Sequence, residues 1–208
     1  MQSENIHPSA FVEEDVVIGK NVRLWHHCQI RKGAVLNDGV SIGKSSFIDE
    51  KVIIGKGSRI QNSVNIYNGV EVGKFCFIGP AVVFTNDYFP RVGNKSWKKI
   101  PTTLENGCSI GAGAVIRCGI TIGAFSMIGA GAIVTKNLFP FSLAMGVPAE
   151  LKSKICACAS TVLDLNTPPD EYIQACCKDL MSEETYNLAL SEIAAIKNSH
   201  NHKIAVQE

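Results

Sequence analysis

The chain has 208 residues, a formal net charge of +1 from 20 Lys and Arg against 19 Asp and Glu, and only 7% aromatic residues. That length suits one repeat domain with a small appendage, and the scattered, near-balanced charge argues against nucleic acid or an anionic membrane surface as partner. There is no charged-then-apolar leader and no apolar run of membrane-spanning length, so a soluble, cytoplasmic protein with no membrane partner is expected.

From the N-terminus, an apolar residue recurs at every sixth position: Ile6, Val12, Ile18, Leu24, Ile30, Leu36, Ile42, Ile48, Ile54, Ile60, Ile66, Val72, Ile78 and Phe84. A second run, in a shifted frame, is Leu104, Ile110, Ile116, Ile122, Ile128 and Val134. A helix repeats every 3.6 residues and a strand every two, so a sustained period of six belongs to neither. It predicts a mainly β fold, a hexapeptide-repeat β-helix, with each hexad a short strand and turn and three hexads to a coil. Residues 1–135 are expected to form this β-helix, and 136–208 a cap and a C-terminal helical tail. Gly19, Gly43, Gly55, Gly73 and Gly79 each follow a repeat aliphatic, where positive φ or close backbone approach is useful.

The cysteines divide by phase. Cys28, Cys76 and Cys108 each precede a repeat aliphatic by two residues, a slot held elsewhere by Val, Ala or Ser. They are expected to be buried thiols acting as small hydrophobes. Cys156, Cys158, Cys176 and Cys177 lie in the tail without the paired C-x-x-C spacing of a zinc ribbon, so no metal is expected. Reduced thiols fit a cytoplasmic compartment.

Residues 85–103, TNDYFPRVGNKSWKKIPTT, break the register with Asn, Asp, Pro, Gly and four basic residues. Loops leaving a rigid scaffold are where function concentrates. After the second run, KNLFPFSLAMGVPAELKSK is expected to cap the open end of the coils. The tail over 168–199 reads as helical. Pro168-Pro169 followed by Asp170-Glu171 marks one start, and Ser182 three residues before Thr185 marks another. Tyr186, Leu190, Ile193 and Ile196 follow at helical spacing. Residues 198–208 are expected to fray, with His200 and His202 solvated.

The segments IHPSAFVEEDVVIGKNVRLWHHCQI, IQNSVNIYNGVEVG and, above all, IGPAVVFTNDYFPR resemble the left-handed β-helix acyltransferases. Within them the match is to the N-acetyltransferases of nucleotide-activated amino sugars. AMGVPAELK is shared more widely in that superfamily. Left-handedness is an implication of the resemblance, since parallel crossovers are otherwise right-handed. The resemblance implies acetyl transfer from acetyl-CoA to a sugar amine, by a homotrimer with active sites between subunits. The loop over 85–103 would wall that cleft.

By that resemblance, Asn86 would orient the amine, and Asp87 would bind it or the adjacent hydroxyl, or accept its proton. No His lies between His27 and His200, so transfer without a protein base is expected, the departing CoA sulfur taking the proton. His26 matches a family Trp-His segment and is a substrate contact or a structural partner of Trp25. Tyr67 and Asn68 lie one coil beneath Thr85 and Asn86; some relatives hold an acid where this chain has Asn68. Arg31 and Arg91 could contact the diphosphate, because guanidinium forks suit phosphate. For CoA, the matching positions are Ala112 and Ala130 along the groove, Lys136 and Lys152 for phosphates, and Pro148 near adenine. Lys152 could equally be a solvated helix lysine.

The substrate expected is a dTDP-linked 3-amino-3,6-dideoxyhexose, for lipopolysaccharide O-antigen or another surface glycan. Alternatives are a UDP-linked 3-amino glucuronate-type sugar, a 4-amino sugar, or O-acetylation of serine or a simple sugar. A β-helix carbonic anhydrase would need three His about a metal, and the coils are too poor in His. A purely structural solenoid would have no use for the FTND loop.

Overall fold

The structure, a computed structural model, describes residues 5–205, with side chains described through Ser199. His200 and His202 therefore fall outside the described side chains.

Strands of mostly two residues wrap into three parallel faces. The first face has seven strands, from Phe11–Val12 to Ile133–Val134; the second has six, from Val17–Ile18 to Thr121–Ile122. The third begins at Arg23–Leu24 and ends in the cap. Each strand pairs with the one a coil later: Gln29 with Phe47, then Phe47 with Asn65. The fold is the mainly β parallel solenoid that the sixfold period predicts. Every repeat aliphatic from Leu24 to Val134 points inward and is essentially buried, as Ile30, Ile48, Ile66, Phe84 and Ile116 show on the first face. No coil could bury these alone, so stacking is what excludes water.

The slot two residues earlier is indeed small and inward. Ser46 and Ser58 fill it and donate to the carbonyls of Gln61 and Gly73. The Cys28 and Cys108 thiols lie 3.1 and 3.2 Å from the carbonyls of Gly43 and Gly123. Burial pushes both thiols up, so they stay protonated and inert.

The glycines after the aliphatics serve close approach rather than positive φ. A Cβ on Gly55 would sit 2.4 Å from the backbone of Gly73, and one on Gly111 2.5 Å from the Ala130 nitrogen. Left-handed φ falls two residues later in the turn, at Gly57 and at non-glycine residues such as Asn21 and His27.

Three corners join the faces, and each has its own occupant. At the first corner, between the first and second faces, the chain leaves the coil after Phe84 and returns at strand Thr102–Leu104. Thr102 and Thr103 pair with Val70 and Glu71, so the excursion expected over 85–103 closes at Pro101. The corner between the second and third faces carries the tail, and among the described residues the corner between the third and first faces carries no helix.

The cap is a strand, Ser142–Met145, laid parallel on Met127–Ile128, followed by antiparallel strands Glu150–Ile155 and Val162–Leu163. A 3-10 turn at Pro169–Glu171 then leads to α1 (Ala175–Leu180) and α2 (Glu183–Ala205). The start predicted at Ser182 holds, since Ser182 Oγ accepts the Thr185 N–H at 3.3 Å, an N-cap, whereas Pro168-Pro169 opens only the 3-10 turn and α1 begins at Ala175. Helix α2 extends to Ala205, and its N-terminal half is pinned along the coils. Lys56 pairs with Glu184 at 2.6 Å and Asn106 donates to Glu192 at 2.7 Å. A second small core joins α2 to the coils through Phe125, Phe141, Tyr172, Ala189 and Ile193. The Phe125 and Phe141 rings stack at 5.4 Å. Leu190, at helical spacing in the sequence, is 43% exposed; Ala189 takes the buried place.

Candidate active site

The residues singled out by sequence fall at two corners. Arg31, Tyr67, Asn68, Asn86, Asp87 and Lys136 follow strands of the first face, so they line the loop corner. The Asn65–Val83 register sets Tyr67 and Asn68 one layer below Thr85 and Asn86. Lys136 lies two layers above Asn86, through the pairings of Phe84 with Ile116 and Ile116 with Val134. Arg91 is exposed within the loop. His26, Ala112 and Ala130 follow strands of the third face and line the helix-free corner. Pro148, after a cis peptide bond, sits beside that corner, where Ala149 N–H donates to the Ile133 carbonyl at 2.8 Å.

At the loop corner a polar ladder supports the site. Arg31 binds Glu13 at 3.0 Å and Asp49 at 3.4 Å. Asp49 also accepts the Asn68 N–H at 3.2 Å, and Lys99 reaches back from the loop to Asn68 Oδ1 at 3.1 Å. The diphosphate role expected for Arg31 is therefore compromised. Its guanidinium is shared between two carboxylates, three layers (about 14 Å at 4.8 Å per layer) below Thr85.

By contrast, among the described residues no partner engages the Asn86 amide or the Asp87 carboxylate. Asn86 is exposed and Asp87 half-buried. Asp87 lines a cavity of about 200 Å³ with Tyr88, Phe89, Trp97, Lys98 and Ile100. A free carboxylate and amide beside aromatic walls can orient a ligand's amine or hydroxyl and shield it from water.

Sequence reasoning missed Arg117. It follows strand Val115–Ile116, one layer above Thr85. Its guanidinium lies 5.0 Å from the Tyr88 ring centroid, and its Nε has no partner among the described residues. Counting hexads past the loop would have found it, since it holds the place that Arg31 holds four layers down.

The other corner is shaped by small residues. The Gly131 N–H donates to the Ala112 carbonyl at 2.8 Å, keeping Ala112 and Ala130 in one column of exposed backbone. At its base, His26 stacks on His7 at 3.6 Å beside exposed Trp25. Burial, then the neighbouring His26 and His27, hold His7 below the ordinary histidine value. The structural option for His26 thus acquires a partner, although it is His7. Lys152 lies on a strand, not a helix, so the solvated-helix alternative is corrected. Its Nζ pairs with Glu150 at 2.8 Å.

Residues 101–136 match the bacterial transferase hexapeptide family (six repeats), and residues 1–89 match the GMPPB C-terminal domain. The coils define a parallel β-helix built of hexapeptide repeats, and these two matches lie along them. The chain is similar to dTDP-3-amino-3,6-dideoxy-alpha-D-galactopyranose 3-N-acetyltransferase of Aneurinibacillus thermoaerophilus. The identity is 40% over 59 residues, 28% of this chain and 31% of that protein. It is also similar to the putative acetyltransferase C18B11.09c of Schizosaccharomyces pombe, 45% identical over 56 residues, 27% of each. The matched stretches thus span under a third of either relative's length. A solved structure, the acetyltransferase domain of PglB from Neisseria gonorrhoeae with acetyl coenzyme A, aligns at 22% identity and a TM-score of 0.45. That alignment covers 71% of this chain and 56% of that one. No helix among the described residues is long and apolar enough to cross a membrane.

Proposed function

We propose that this protein is an acetyl-CoA-dependent N-acetyltransferase acting on a nucleotide-linked amino sugar, a dTDP-3-amino-3,6-dideoxyhexose. The observation that carries the reading is the unengaged Asn86–Asp87 pair, beside an aromatic cavity at the one excursion from the coils. The 40% identity to a 3-N-acetyltransferase of such a sugar supports the substrate.

In this reading Asn86 and Asp87 hold the neutral amine in line with the thioester carbonyl. The amine nitrogen bonds to the carbonyl carbon, the tetrahedral adduct collapses, and the carbon–sulfur bond breaks. The departing thiolate takes the amine proton, leaving an amide and CoA thiol. Proximity supplies much of the rate, because the thioester is already activated. Arg91 and Arg117 serve the diphosphate in place of Arg31.

Acetyl-CoA would lie along Ala112 and Ala130, with Lys136 and Lys152 toward its phosphates and Pro148 toward adenine. That column and the Asn86–Asp87 pair occupy different corners of one prism. A site using both therefore favours a homotrimer, with the corner of one subunit facing the loop of the next. The exposed Phe11 and Val83 side chains on the first face, which lies between those corners, fit such contacts. A cytoplasmic enzyme supplying O-antigen or another surface glycan follows from where its nucleotide sugar would be made.

The test is product mass. The protein is incubated with acetyl-CoA and dTDP- and UDP-linked 3-amino and 4-amino sugars. Acetylation of the dTDP-3-amino-6-deoxyhexose alone is expected. Acetylation of only a UDP-linked or 4-amino sugar would keep the reaction and overturn the substrate. No acetylation together with no acetyl-CoA binding would overturn the enzyme reading.

A further inference from the structure

Outside the candidate active site, the four tail cysteines converge. Cys156 and Cys158 follow the cap strand Glu150–Ile155; Cys176 and Cys177 open α1, some twenty residues on. Cys158 Sγ lies 3.5 Å from Cys156 Sγ, 3.5 Å from Cys176 Sγ and 3.4 Å from Cys177 Sγ. All four sulfurs lie within 4.8 Å of one another. A zinc ion with four thiolates at about 2.3 Å spaces them about 3.8 Å apart in a tetrahedron. The observed spacings bracket that edge and are far from the roughly 2.05 Å of a disulfide.

The surroundings fit ligands better than packing thiols. Cys156 N–H donates to the Thr161 carbonyl at 3.0 Å, and Ala159 within that turn takes φ +64°, so the segment folds into a closed knuckle. Polar donors then face the sulfurs. Thr161 N–H reaches Cys156 Sγ at 3.2 Å, Ser160 Oγ donates to Cys176 Sγ at 3.0 Å, and Ser160 Oγ lies 3.1 Å from Cys158 Sγ. Such donors stabilise the charge of metal-bound thiolates and orient them. The buried cysteines of the coils face carbonyls, an arrangement suited to neutral thiols.

We infer that Cys156, Cys158, Cys176 and Cys177 bind one zinc ion, a structural clasp joining the cap to the start of α1. Binding releases the four thiol protons, and closed all-sulfur coordination leaves no position for chemistry. The clasp would hold the knuckle against α1, and through Tyr172, whose carbonyl accepts the Ala157 N–H at 2.9 Å, hold the second core in place.

The full chain, produced with zinc supplied and purified without chelator, is expected to carry about one zinc per chain by elemental analysis. Cobalt(II) exchanged into it should show the ligand-field and charge-transfer bands of tetrahedral thiolate. A Cys158→Ser/Cys176→Ser double variant should carry none, whereas Cys118→Ala, altering a thiol outside the cluster, should keep it. The wild type supplies a readout that does not depend on the double variant folding. Iodoacetamide should label the four tail cysteines only after chelation, and Cys28, Cys76 and Cys108 in neither state. A metal-free chain with four labelled tail thiols or with disulfides, or zinc retained by the double variant, would overturn the site. Iron in place of zinc would overturn the metal.

Discussion

The coiled body and the C-terminal tail bury apolar groups by different means. In the coils, each inward aliphatic sits on its counterpart a coil earlier and under the one a coil later: Ile48, Ile66 and Phe84 form one such column. The tail has no repeat. It holds to the coils through a few aromatic rings, one apolar stripe of α2 and two polar ties, one exposed and one part-buried. Damage to a coil should therefore spread to its neighbours, whereas damage to the tail should stay local.

The largest expected effect breaks that contrast if it is wrong. Ile66→Asp puts an unpaired carboxylate into a fully dry column, at a cost of several kcal/mol. It should abolish soluble, β-rich protein. Ile193→Asp, in α2, should instead release the helix to proteolysis while the β spectrum by circular dichroism persists. If the Ile193 variant also fails to fold, the tail is part of the same cooperative unit.

Next in size, Asn86→Ala and Asp87→Ala should each lower kcat/KM about a hundredfold, the scale of a lost orienting or polar contact in a transition state. Both residues are solvent-accessible and unpartnered, so thermal unfolding should not move. A lowered melting temperature with unchanged kcat/KM would make the pair a structural turn.

Ser182→Ala removes the α2 N-cap and should cost about 1 kcal/mol. The loss should appear as faster hydrogen exchange at the start of α2, with coil amides unaffected. The smallest effect is at Lys56. The hydrogen bond that Lys56 donates to Glu184, and then the Glu184 charge, raise the Lys56 ammonium above the ordinary lysine value. A raised amine contributes while protonated, below its unfolded value, and that contribution disappears as pH rises through the folded value. Both groups are about half exposed, so Lys56→Ala should not measurably change α2 exchange at neutral pH. In the wild type, losing this pair at strongly alkaline pH should likewise leave α2 exchange no different from that of the Lys56→Ala variant at the same pH.

Much of the body was legible because a period of six is a local signal. It located the inward aliphatics, the small slot holding Cys28, Cys76 and Cys108, and the stacking of Asn68 beneath Asn86. The same arithmetic found the interruption after Phe84, but not that Thr102 and Thr103 rejoin a strand. That depends on pairing with Val70 and Glu71. Nor did it find the sharing of Arg31 between Glu13 and Asp49, because choosing among ladder partners is a matter of side-chain geometry. Arg117 was within reach of the arithmetic, had the count been carried across the loop.

The sequence by itself determined the coil, its inward column and its single excursion, because each hexad repeats one local decision about strand, turn and buried side. Tertiary structure decided which corner each candidate residue lines. It also laid Lys152 in a strand, and drew Cys156 and Cys158 against Cys176 and Cys177. Those neighbours are brought together by a hairpin and helices folding back over non-repeating chain. No period links such residues, and only the packed core around Phe125, Phe141 and Tyr172 sets their distance.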